Sequence, residues 1–151
     1  MKEGDVAPDF ELTANDGSVI KLGSLKGKKV VLCFYPKNHL FACPSKKVFQ
    51  MAEATIQAYP KIVEQKAELF AISVDTVEDQ KKFVSEYKIP YLHLSDTTKS
   101  ACKNYAGLNL AGLAKRSTFI IDKDGKIAKI FRDVDAKSHG QEIIQALQSL
   151  N

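Results

Sequence analysis

The sequence predicts an α/β fold, a central mixed sheet flanked by helices and preceded by an N-terminal β-hairpin. Two patterns carry this expectation. In the middle of the chain, short runs rich in β-branched and aromatic residues alternate with stretches of helical apolar spacing, and near each end a pair of strand-like runs brackets a turn. A length of 151 residues fits one domain, 1–151, with one core. With 44% hydrophobic and 26% charged residues, the composition is that of an ordinary folded chain.

Taken in order, Phe10 to Thr13 alternates apolar and polar, Val19 to Leu22 is mostly apolar, and Asn15-Asp16-Gly17 between them suits a tight turn, so these form the hairpin. Val30 to Tyr35 reads as a strand buried on both faces, ending at Pro36. From Val48 the apolar positions Val48, Met51, Ala52, Ile56 and Tyr59 recur at helical spacing, with Pro44 suited to the first helical position. Leu69 to Val74 is the next strand, and Thr76 with Asp79 is an N-cap pattern opening a helix through Phe83, Val84 and Tyr87. Asp96 to Tyr105 is a short helix stopped by Gly107. Thr118 to Ile121 and Ile127 to Phe131 are antiparallel strands joined at Asp122-Lys123-Asp124-Gly125. Ser138 and Gln141 form a capping-box pattern before Ile143, Ile144, Leu147 and Leu150, a closing amphipathic helix. A parallel crossover unit joined to an antiparallel edge is the order of a thioredoxin-like sheet.

Several classes of function are disfavoured. The formal charge of +4 comes from lysines spread along the chain among acids, not from a basic patch, which speaks against a nucleic-acid partner. Lys2, Glu3, Asp5 and Asp9 leave no apolar run for a signal peptide, and no stretch of about 18 apolar residues suggests a membrane span. The expected location is the cytoplasm. Cys33, Cys43 and Cys102 are an odd number at wide spacings, a poor disulfide framework that suits a reducing compartment. None forms a C-x-x-C pair, which counts against a zinc ribbon and a dithiol oxidoreductase, and no metal or organic cofactor is indicated.

The chemistry is best sought at Cys43, between a strand's end and a helix's start. Unpaired backbone N–H groups and the positive end of the helix dipole favour an anion there and raise the thiolate fraction of a cysteine. A thiolate attacks peroxide oxygens, and the same N–H groups stabilise the charge that develops. The ordinary fate of a lone cysteine is burial as a small hydrophobe.

A resemblance spread over nearly the whole chain favours the chemical reading. Gly4-Asp5-Val6-Ala7-Pro8-Asp9-Phe10 resembles the GDxAPDF opening common in peroxiredoxins. Phe34-Tyr35-Pro36-Lys37 leading to Cys43 is similar to the segment before the peroxidatic cysteine in the bacterioferritin comigratory protein subgroup, also called PrxQ, and Pro36 to Cys43 has the spacing of its PxxxTxxC motif. Ile72-Ser73-Val74-Asp75, Leu94-Ser95-Asp96 and Arg116-Ser117-Thr118-Phe119-Ile120-Ile121-Asp122 resemble further segments of that subgroup. The resemblance implies a thiol-dependent peroxidase acting on hydrogen peroxide or organic hydroperoxides through a cysteine sulfenic acid. By it, Cys43 is the nucleophile, Pro36 shields the thiolate, and Arg116 stabilises thiolate and peroxide. The implied partners are a peroxide and a thioredoxin-like or low-molecular-weight thiol reductant, with the protein a monomer or weak homodimer.

Three positions depart from that pattern. Leu40 stands where the motif has threonine, and losing a hydrogen bond to a charged group costs roughly 1.5–3 kcal/mol, a tenfold to hundredfold slower step. Lys46 stands where the subgroup often has glutamate, and Val48 where many members place the resolving cysteine, which leaves Cys102 or an external thiol. Cys33 reads as core, His39 as solvated, and Ser73, Asp75 and Asp96 as turn and capping residues. A weakened redox sensor or protein-binding module on the same scaffold is the alternative, and a thiol-disulfide oxidoreductase is a more distant one.

Overall fold

The computed structural model describes residues 1–37, 45–132 and 138–150, and for 45–51 the backbone alone. Its strands are β1 (Glu11–Ala14), β2 (Val19–Lys21), β3 (Lys29–Phe34), β4 (Ala67–Ser73), β5 (Leu92–Ser95), β6 (Ser117–Ile121) and β7 (Ile127–Arg132). The α-helices are α1 (Ser45–Glu64), α2 (Val77–Tyr87), α3 (Ser100–Asn104) and α4 (His139–Gln148). All seven strands form one sheet in the order β2-β1-β5-β4-β3-β6-β7. The pairs β3–β4 and β4–β5 are parallel, the others antiparallel, so the expected mixed, thioredoxin-like sheet with its N-terminal hairpin is present.

β3 lies at the centre because it is apolar on both faces. Val30, Leu32 and Phe34 join Phe70, Leu94, Phe119 and Tyr105 in one core layer. Val31, Cys33 and Tyr35 face the other, with Ile62 of α1, Phe83 of α2 and Ile143 and Leu147 of α4. Period-2 alternation thus divides one strand between two cores. Phe34 stacks on Tyr105 at 5.4 Å between ring centroids and meets Phe119 edge-on at 5.6 Å.

Several turn expectations hold. In the β1–β2 turn, Asp16 Oδ1 accepts from the Ser18 amide and hydroxyl while Gly17 takes φ +88°. Thr76 accepts from the Asp79 amide at 3.1 Å. Gly107, at φ +82°, donates its amide to the Cys102 carbonyl and closes the turn after α3. Three lysines also hold left-handed backbone, Lys66 before β4, Lys88 after α2 and Lys99 before α3.

Other details differ from the sequence reading. β5 is an unforeseen strand; its four residues include His93 and Ser95, and it is fixed by parallel pairing with β4 more than by its own pattern. Ser138 makes no side-chain cap, because its own backbone is already helical and its carbonyl accepts from the Glu142 amide. α1 begins three residues before Val48 and continues through Pro60 to Glu64, while Pro44 lies outside the described residues.

α1 and α4 pack closely at Gly140, where an added Cβ would stand 2.9 Å from the Ala58 Cβ and 3.0 Å from the Ala54 carbonyl oxygen. Since helix backbone cannot yield there without shifting α4, Gly140→Ala is expected to destabilise the protein by about 1–3 kcal/mol, read as a lower urea midpoint at unchanged slope.

Candidate active site

β3 ends at Phe34, and α1 starts at Ser45; Cys43, Leu40 and His39 lie outside the described residues, and for Lys46 only the backbone is described. What surrounds the C-terminal end of β3 is well defined. Arg116 comes one residue before the Ser117–Phe34 pair, so by alternation it shares the α1 face of the sheet with Thr118, Cys33 and Tyr35. Pro36 follows Tyr35 and is half-buried, and the half-buried Arg116 immediately precedes β6.

Arg116 borders a cavity of about 30 Å³ on this face, lined also by Cys33, Tyr35, Thr55, Tyr91 and His93. The space exists because Ala71 stands between Cys33 of β3 and His93 of β5 in the register, and a methyl group leaves the middle strand low between two larger neighbours. Cys33 is half-buried with its open side to the cavity, and burial pushes its thiol up to about 12, so it is neutral and unreactive at ordinary pH.

A buried polar network reaches this cavity from the ends of β4 and β5. Ser73 donates its hydroxyl proton to Asp75 Oδ2 at 2.6 Å and accepts from Gln80 Nε2 at 3.1 Å and, more weakly, from the Asp75 amide at 3.4 Å. The Tyr35 hydroxyl lies 2.8 Å from His93 Nδ1 and also bonds Ser73. Burial pushes His93 down to about 3 and Tyr35 well above its ordinary range, which leaves both neutral. The His93 Nε2 atom is buried and has no hydrogen-bond partner among the described residues.

Cys102 lies elsewhere, on α3 in the opposite core layer, and is fully buried. Its amide donates to Asp96 Oδ2 at 2.7 Å, and burial, then the Asp96 carboxylate, push its thiol far above the usual cysteine range. Asp96 and Ser73 serve local backbone and side-chain groups, as the sequence implies. Sequence reasoning passed over His93 and Tyr35 as a unit. A histidine in an apolar strand was the available signal, but its partner is 58 residues away. Among the described residues no three His, Cys, Asp or Glu side chains gather as a metal site, and no helix is long and apolar enough to cross a membrane.

Known proteins resemble this chain throughout. The AhpC/TSA family model matches residues 4–130. The chain is 32% identical to Peroxiredoxin Bcp of Bacillus subtilis (strain 168) over 161 residues, spanning 98% of this chain and 96% of that protein. It is 32% identical to the chloroplastic Peroxiredoxin Q of Oryza sativa subsp. japonica over 153 residues, 99% of this chain and 68% of that one. Among solved structures, Peroxidoxin BcpB from Mycobacterium tuberculosis superposes with a TM-score of 0.86 at 28% identity, covering 100% of this chain and 99% of the other.

Unfolded, His93 takes up a proton below its ordinary 6.5; folded, it does so only near 3, so the unfolded state binds more protons in that interval and stability falls as the pH drops through it. Between pH 7 and 5 this one group removes roughly 2 kcal/mol. Urea unfolding at the two pH values should therefore show His93→Leu losing about that much less stability than the parent.

Proposed function

Since this chain belongs to the AhpC/TSA family, as a peroxiredoxin of the Bcp and PrxQ kind, we propose that it performs its thiol-dependent peroxidase reaction through Cys43, with Arg116 and Pro36 beside it. The observation that carries this assignment is the convergence of Tyr35, just before Pro36, and of Arg116 on one cavity at the end of β3, the strand that leads to Cys43 and α1. The rest of the chain, one domain over 1–151, is the scaffold for that corner.

In this reading the Cys43 thiolate attacks one peroxide oxygen. The O–O bond breaks, a sulfenic acid forms on sulfur, and the departing hydroxide or alkoxide takes a proton from water. Arg116 fits the role of charge stabiliser because a guanidinium stays ionised and offers several N–H donors. Pro36 covers the thiolate with an apolar ring. A thiol then condenses with the sulfenic acid to a mixed disulfide and water, and a second thiol releases Cys43.

We assign that thiol to an external, thioredoxin-like or small reductant, since Cys102 is fully buried and its thiolate disfavoured by Asp96. Cys33 and Cys102 as free thiols suit a reducing compartment, and the cytoplasm is the proposed location. A monomer or weak homodimer without nucleic-acid or membrane partners completes the reading.

Stopped-flow mixing of reduced protein with hydrogen peroxide tests the nucleophile. Rapid oxidation should vanish in Cys43→Ser, and oxidation of the parent no faster than free cysteine would overturn the assignment. Leu40→Thr, which restores the motif hydroxyl, should raise the rate tenfold to a hundredfold, the equivalent of roughly 1.5–3 kcal/mol. Cys102→Ala is expected to keep full turnover with an external thiol, and mass spectrometry of the oxidised parent should find no Cys43–Cys102 disulfide.

A further inference from the structure

The chain between α3 and β6 turns outward before it reaches Arg116. Leu108 and Ala114 form an antiparallel bridge, the Asn109 amide donates to the Leu113 carbonyl at 2.8 Å, and Asn109 Oδ1 accepts from the Ala111 and Leu113 amides at 2.9 and 3.1 Å. Gly112, at φ +75°, completes the bend. The tip is thus held by its own bonds, and on it Leu110 is fully exposed beside the exposed Ala111 and the half-buried Leu113. Folding gains nothing from an aliphatic side chain left in water, whereas binding does, and a loop already ordered loses little freedom when it docks.

Cations surround this tip. From Ser100 to Ile121 the sequence holds Lys103, Lys115 and Arg116 and no acid. Lys103 and Lys115 are exposed, Lys115 lies against Gly107 at the foot of the loop, and the exposed Arg132 donates to the Ala106 carbonyl beside it at 3.3 Å. The flanking acids are withdrawn: Asp96 is buried and holds the Cys102 amide, and Asp122 follows the opposite end of β6. An apolar knob with a cationic rim fits a protein surface of the opposite kind, apolar at its centre and edged with acids. A second copy meeting it face to face would set these cations against one another. The tip has no aromatic ring on which a nucleic-acid base could stack, and one leucine is little apolar surface for a membrane.

We propose that the loop 107–115 is the docking surface for the external thiol reductant, a dithiol protein whose face around its reactive cysteine is apolar and rimmed with acids. This rests on the peroxidase reading above, in which the thiol comes from outside because Cys102 is fully buried, and it names a protein donor in preference to a small thiol. The loop runs into Arg116 at the end of β3, the strand that leads to Cys43. In the exchange, one thiol of the partner condenses with the sulfenic acid, which releases water and forms a mixed disulfide. The partner's second thiol then attacks the partner sulfur of that bond, freeing Cys43 as a thiol and leaving the disulfide on the partner.

Turnover of hydrogen peroxide, measured with thioredoxin kept reduced by its reductase and NADPH and separately with dithiothreitol, tests the surface in the parent, Leu110→Ser and Lys103→Glu. Each variant should lower kcat/KM for thioredoxin at least fivefold, through KM, while stopped-flow oxidation by peroxide and turnover with dithiothreitol stay within twofold of the parent. The parent's kcat/KM for thioredoxin should also fall as salt is raised, and fall less steeply in Lys103→Glu. Values within twofold of the parent in both variants overturn the proposal, as does an equal loss with thioredoxin and dithiothreitol, which marks a folding defect. A parent that dithiothreitol reduces and thioredoxin does not overturns this inference alone, whereas a parent oxidised no faster than free cysteine removes the peroxidase reading with it. A Leu110→Ser protein with intact thioredoxin kinetics but weaker co-sedimentation with phosphatidylserine vesicles, or a smaller dimer fraction in analytical ultracentrifugation, gives the tip to a membrane or a second copy and overturns the proposal.

Discussion

Burial of β3 on both faces is the constraint on which the rest of the architecture depends. A strand with Val30, Leu32 and Phe34 on one side and Val31, Cys33 and Tyr35 on the other cannot be an edge, so it draws helices and partner strands onto both surfaces. Its parallel partner β4 requires a crossover, which α1 supplies, and the crossover begins where β3 ends. The same hydrophobic requirement that centres the strand thus sets the C-terminal end of β3 beside the residue preceding β6, so that Arg116 arrives there from the antiparallel side.

Polar groups placed inside such a core need an internal settlement. Around Ser73, Asp75, Gln80, Tyr35 and His93, polar groups bond to one another within the network instead of to solvent. His139 offers a contrast. It bonds Thr118 Oγ1 through Nε2 at 2.6 Å and packs edge-on against Phe131, where it joins α4 to β6 and β7. Two buried histidines on one face of one sheet thus do different work: one couples α4 to the sheet, the other closes a buried polar network beside a cavity.

Much of this arrangement is legible in the sequence, and the exceptions have a common physical origin. Strands with continuous β-branched runs, β3 and β6, and turns governed by local geometry, at Gly17 and Gly125, are encoded within a few residues and can be read directly. β5 escapes because Leu92–Ser95 owes its conformation to β4 and β1, and the Ser138 cap fails because the backbone around it is set by how α4 docks on α1. At the candidate site, Cys43, Pro36 and Arg116 stand out through motif spacing, whereas the Cys33–Ala71–His93 row emerges only once three strands are in register. Long-range pairing creates that cavity, and no local pattern announces it.

The three left-handed lysines carry a consequence for the protein's evolutionary headroom. Lys66, Lys88 and Lys99 hold φ of 59°, 52° and 67° at the junctions of helices and strands, a conformation that costs a residue with a side chain roughly 1 kcal/mol relative to glycine. Lysine there keeps solubilising charge at turns that glycine would relax. The chain therefore holds an untapped reserve of stability at positions remote from its chemistry. Mutations that reshape the pocket at some expense to the fold could be absorbed by three surface changes, none of which touches a residue of the site.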